Sequence, residues 1–102
     1  MNEVTYLPQV RCEVEQGGFL PDGVSAMLQA VDGRTHYVQV TGGLINTVGG
    51  DSYLPVGIVE IDRRNRQVLV ELPVEADSGA NRMWIAFDSL RQERSLTGGA
   101  VA

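Results

Sequence analysis

Apolar and polar residues alternate in several short segments of this 102-residue chain, and no run of about 12 residues carries the 3.6-residue period of a helix with one buried side. Val10, Cys12 and Val14 alternate with Arg11, Glu13 and Glu15, which predicts a strand with one face in the core and Cys12 pointing inward. Residues 24–31 and 35–41 flank Asp32-Gly33, a pair suited to the two-residue type I′ turn of a hairpin. A second hairpin is predicted from 56–62 and 67–72 around the turn Arg63-Arg64-Asn65-Arg66. Placing Asp62 opposite Gln67 sets Ile61 against Val68 and Val59 against Val70, so that one face is uniformly β-branched. Residues 82–87 read as a last long strand and 88–92 as one helical turn. The expectation is a single all-β domain over 1–95, a small barrel or compact β-sandwich of five to seven antiparallel strands with at most one or two short helical turns. A disordered C-terminal tail is expected at 96–102.

A chain of this length buries enough surface to fold without covalent or metal staples. None is to hand: a lone Cys12 makes no internal disulfide, and Cys12 with His36 falls short of a four-ligand zinc site. The formal net charge is -5 and all eight basic residues are arginine. Charge concentrates at one end, with six acids against Arg11 and Arg34 over residues 1–51. An acidic chain lacks the continuous basic surface that phosphate backbones require, so nucleic acid is a disfavoured partner. No apolar run approaches the length of about 20 residues that a membrane span needs. Residues 1–8 show neither the basic nor the apolar region of a secretory signal, so the expected location is cytoplasmic and no membrane partner is expected.

Residues 42–52 read as a glycine-bracketed loop open to a partner. The loop has neither Gly-Lys-Ser/Thr nor Gly-x-Gly-x-x-Gly, so no phosphate cradle and no cofactor is expected. A weak internal repeat has an offset of 47: Tyr6-Leu7-Pro8 returns as Tyr53-Leu54-Pro55, and Tyr37-Val38 lies over Trp84-Ile85.

The string Pro55-Val56-Gly57-Ile58-Val59-Glu60-Ile61-Asp62, a polar turn, then Val68-Leu69-Val70-Glu71-Leu72 and a strand ending Trp84-Ile85-Ala86-Phe87-Asp88-Ser89-Leu90-Arg91, resembles an SH3-like small barrel of the Tudor or KOW sort over residues 54–91. The resemblance implies a module that serves as an interaction or nucleic-acid-binding domain. The aromatic cage of Tudor domains and the basic surface of KOW domains are not recognisable here, so it carries no ligand and no site residue across.

Groups able to do chemistry are sparse. His36 is the sole histidine and shares a strand face with Val38 and Val40, the setting of a core or rim histidine. A thiol-imidazole pair of Cys12 with His36, in a small enzyme or ligand binder, is the alternative. Ser78 lacks a nucleophile-elbow context. The carboxylate pairs Glu13/Glu15 and Glu60/Asp62 match ordinary solvated strand faces. Arginines 63, 64 and 66 crowd one turn that could meet an acidic partner or a phosphate.

Apolar surplus is the positive signal. With Val59, Ile61, Val68 and Val70 turned to the core, Ile58 and Leu69 point outward; with Met83, Ile85 and Phe87 inside, Trp84 is outside, as Tyr37 is opposite Val38 and Val40. Strands apolar on both faces are normally covered on both. The expectation is therefore a protein-binding module that self-associates as a homo-oligomer, with Tyr37, Ile58, Leu69, Trp84, Arg63, Arg64 and Arg66 as the partner-binding residues.

Overall fold

The computed structural model describes the backbone of residues 3–16 and 21–97 and the side chains of 8–16 and 21–91. Nine strands form two antiparallel sheets. The larger holds β1 (Glu3–Gln16), β2 (Gly23–Gln29), β3 (Thr35–Thr41), β4 (Asn46–Val48), β5 (Asp51–Pro55) and β9 (Leu90–Thr97). The smaller holds β6 (Gly57–Asp62), β7 (Gln67–Glu71) and β8 (Arg82–Ala86), in that order. Two single 3₁₀ turns, Gly42–Leu44 and Phe87–Ser89, are the helical content among the described residues. The all-β class holds, with more strands than the five to seven expected.

β1 organises the larger sheet, in the order β3-β2-β1-β5-β4. Its first part pairs with β9, from Glu3 opposite Thr97 to Val10 opposite Leu90, and its last part with β2, from Glu13 opposite Met27 to Gln16 opposite Val24. β5 takes the other edge at Gln9–Cys12. Of the tail expected from residue 96, Leu96 and Thr97 thus pair with β1, and 98–102 lie outside the described residues.

Alternation places the core as expected. Val10 and Cys12, Val24, Ala26 and Leu28, and Val38 and Val40 cover the inner face of the larger sheet, and meet Val68, Val70, Met83 and Ile85 from the smaller. Cys12 is buried, as its strand position demands. Gln9 breaks the pattern. It lies on the side of β1 opposite Val10, yet is buried where β5 and β9 both pair, and its Oε1 accepts no hydrogen bond among the described residues.

Turn chemistry corrects two expectations. Between β2 and β3 the chain makes a three-residue hairpin loop: Gly33 N–H donates to Ala30 C=O (3.0 Å), Ala30 N–H donates to Arg34 C=O (2.9 Å), and Gly33 alone is left-handed, φ 88°. A type I′ turn needs two left-handed residues. Asp32 instead accepts the Arg34 N–H with its carboxylate (2.9 Å). The glycine pair at 49–50 supplies two positive φ angles, 60° and 89°, and closes a tight hairpin of β4 and β5 inside the segment expected to be a loop.

The second correction to packing is a β-bulge. The predicted register holds at the turn, with Asp62 opposite Gln67 and Ile61 opposite Val68, but then Glu60 stands opposite Leu69 and Ile58 opposite Val70, leaving Val59 as the extra residue. Ile58 therefore packs against the core, and Val59 is 43% exposed. Ile61 keeps its inward register but sits on the edge strand and is 48% exposed.

β1–β2–β3 and β6–β7–β8 are both antiparallel three-stranded meanders, and the strands matched at offset 47, β3 and β8, come third in each. The connection from β7 to β8 repeats the earlier turn: Gly79 N–H donates to Ala76 C=O (2.8 Å), Ala76 N–H to Ala80 C=O (2.8 Å), and Gly79 has φ 90°.

Candidate functional site

The bulge determines what the smaller sheet shows outside. Glu60, Leu69 and Trp84 form one cross-strand row on its outer face, since Leu69 is opposite both. Val59, beside Glu60 in the bulge, adds an exposed apolar side chain at the end of that row. Leu69 and Trp84 are half-buried. On one side the row is bounded by Glu71, whose carboxylate binds Arg82 (2.8 Å), and on the other by Asp62, Gln67 and Ala86. Of the expected contact residues, Leu69 and Trp84 are adjacent here, and Ile58 belongs to the core instead. Tyr37 is exposed on the outer face of the other sheet, opposite half-buried Met27, and is not part of this surface.

The arginine turn divides. Arg63 and Arg64 are exposed at the hairpin tip. Arg66 has φ 54°, the only non-glycine positive φ among the described residues. Its carbonyl accepts Phe87 N–H (3.0 Å), its guanidinium lies 5.5 Å from the Phe87 ring centre, and Asp88 is 4.0 Å away. Arg66 thus ties the hairpin to the second 3₁₀ turn.

Asp62 holds the turn from within. The Asn65 side-chain amide (2.8 Å), the Asn65 backbone N–H (3.2 Å) and Gln67 (3.4 Å) donate to its carboxylate and lower its pKa from 3.8. A carboxylate with a depressed folded pKa adds stability that is complete above the unfolded value and is lost as pH falls through the folded one. The Asn65 amide resonance should therefore titrate with a midpoint below 3.8 in an NMR pH series; a midpoint at 3.8 or higher contradicts these bonds.

Cys12 and His36 are both buried on the inner face of the larger sheet, at about the same level on β1 and β3. Leu28 of β2 stands between them opposite His36, and two strand spacings put them roughly 10 Å apart. Burial pushes the Cys12 thiol up to about 11. At pH 8 it should react with an aromatic disulfide reagent at least about a hundredfold more slowly than an unfolded control; equal rates would show an accessible thiolate. His36 instead meets Ser78, Nδ1 to Oγ 2.7 Å. That contact, 42 residues apart in sequence, was not foreseen; its only local sign was a turn-forming Asp-Ser-Gly.

Among the described residues no three His, Cys, Asp or Glu side chains gather to hold a metal, and no helix is long and apolar enough to cross a membrane. Comparisons with protein-family models, with curated proteins and with solved structures find no match.

Proposed function

We propose that this domain is a non-enzymatic protein-interaction and assembly module, and that the occupant of its outer sheet face is a second copy of the chain. The observation that carries the reading is the row Val59–Leu69–Trp84, apolar side chains on the outward face of a sheet whose inward face is already filled by the core. An aromatic side chain beside a central apolar one, here Trp84 next to Leu69 of the middle strand, within a polar rim is an arrangement favoured at contact surfaces. Charge favours self-association about a two-fold axis. Arg63 and Arg64 lie at one end of β7, and exposed Glu75 follows its other end, so antiparallel docking turns the basic tip of each copy toward Glu75 of its mate.

Nucleic acid is the less favoured partner, because three exposed arginines on one tip of an acidic chain release few counterions. The face itself is small. Three strands of five residues span roughly 17 by 14 Å, below a standard interface, so association is expected in the micromolar range. Sedimentation equilibrium at about 100 μM should give twice the 11.1 kDa chain mass. A clean monomer at that concentration removes the self-association.

A further inference from the structure

A cleft of about 280 Å³ opens where the Ala30–Arg34 turn reaches β8, fastened by the Val31 N–H donating to Trp84 C=O (2.9 Å). Its walls include the apolar Val31, Met83 and Trp84, with Arg34 and Arg82 at the sides. His36 also lines it and is only 7% exposed. The ring is fixed from behind by Ser78, whose Oγ also accepts the Ala80 N–H (3.4 Å). When the Ser78 hydroxyl donates its one proton to Nδ1, the neutral ring carries its own hydrogen on Nε2. Nε2 has no protein hydrogen bond among the described residues. A histidine more than nine-tenths buried, held in one orientation, thus keeps a polar atom for the cleft.

The flanking cations are partly occupied. Arg34 contacts Asp32 (3.8 Å) and Arg82 contacts Glu71 (2.8 Å). Each guanidinium has five N–H donors, and these single-carboxylate contacts leave others for a ligand. Asp32 lines the same mouth, which disfavours a multiply charged anion such as phosphate relative to a single carboxylate.

We propose that this cleft binds a ligand carrying one carboxylate on a compact apolar body, with His36 Nε2–H and the Arg34 guanidinium holding the carboxylate and Val31, Ala80 and Met83 packing the body. The volume limits that body to about a dozen non-hydrogen atoms. Such a group is supplied by a free arylalkanoic acid or by the C-terminal residue of a peptide.

The test uses the full isotope-labelled chain and NMR titration to about 10 mM with 3-phenylpropionate, its primary amide, and a short peptide ending in leucine with a free or an amidated terminus. The expected result is saturable shifts at the His36 ring and the Val31 and Met83 methyls with the free acid or the free-ended peptide. Which of the two binds identifies the source. The neutral amides should bind at least about tenfold more weakly. Arg34→Gln, at a position whose side chain is 80% exposed and so dispensable for folding, should weaken binding about fivefold. Ser78→Ala, which frees the imidazole to turn, should also weaken it. No shift with either carboxylate, amides binding as well as acids, or affinity unchanged in Arg34→Gln would each overturn the proposal.

Discussion

Leu54→Ala should lower the unfolding free energy by about 3 kcal/mol. Leu54 is fully buried on β5, opposite Val10, where the larger sheet turns its inner face to Val68, Val70 and Ile85. The truncation deletes buried methyl groups and leaves a cavity that a rigid sheet cannot close, and such losses run from about 2 to 5 kcal/mol. Against the roughly 5–15 kcal/mol that stabilises a typical domain, this is a large fraction. At about 4–8 °C per kcal/mol for a chain near this size, the melting midpoint should drop by more than about 10 °C. Denaturant titration should show the shift with an unchanged slope. Val59→Ala, at the exposed bulge, should stay within about 0.5 kcal/mol of the parent in the monomer. A Leu54→Ala cost below about 1 kcal/mol would mean that the two sheets do not share one core.

Leu69→Glu should abolish self-association while leaving the fold intact. Leu69 is half-buried on the outer face, so the monomer solvates a glutamate there at little cost. In the docked pair it would be taken from water beside Glu60, directly opposite in register, with no basic group in that row. Desolvating an unpaired charge costs several kcal/mol, enough to weaken a micromolar dimer at least about a hundredfold. Sedimentation should then return a monomer at about 100 μM with an unchanged circular dichroism spectrum. Tyr37→Glu, on the opposite sheet, should keep the dimer. A Leu69→Glu chain that still dimerises places the contact elsewhere.

The parts of the fold readable in the sequence are those fixed by neighbours along the chain. Arg63–Arg66 between two β-rich runs gave the register of the second hairpin, and the Val10–Cys12–Val14 alternation gave the buried face of β1. The bulge was invisible for a definite reason: Ile58 and Val59 are both β-branched and apolar, so composition does not say which one the ladder omits. Reading strict alternation through the bulge exchanged their faces, and with them the apparent contact surface. The β4–β5 hairpin had its own signal in Gly49-Gly50, hidden because the strands beside it are short and polar. Arg66 shows the other limit. Its place in an arginine cluster suggests a partner contact and says nothing of the Phe87 ring that its guanidinium faces, 21 positions away. The cleft around His36 is likewise assembled from β2–β3 and β8, which the sequence separates by more than 40 residues.

The Asp77 N–H donates to the Tyr37 carbonyl (2.8 Å), so the connection between β7 and β8 lies along the outer margin of β3. A bare margin there would invite another chain to continue the ladder, strand upon strand, without end. With its middle so covered, β3 is a poor template for lateral addition, and copies meeting through the Trp84 surface about a two-fold axis would close as a pair instead of growing into a fibre.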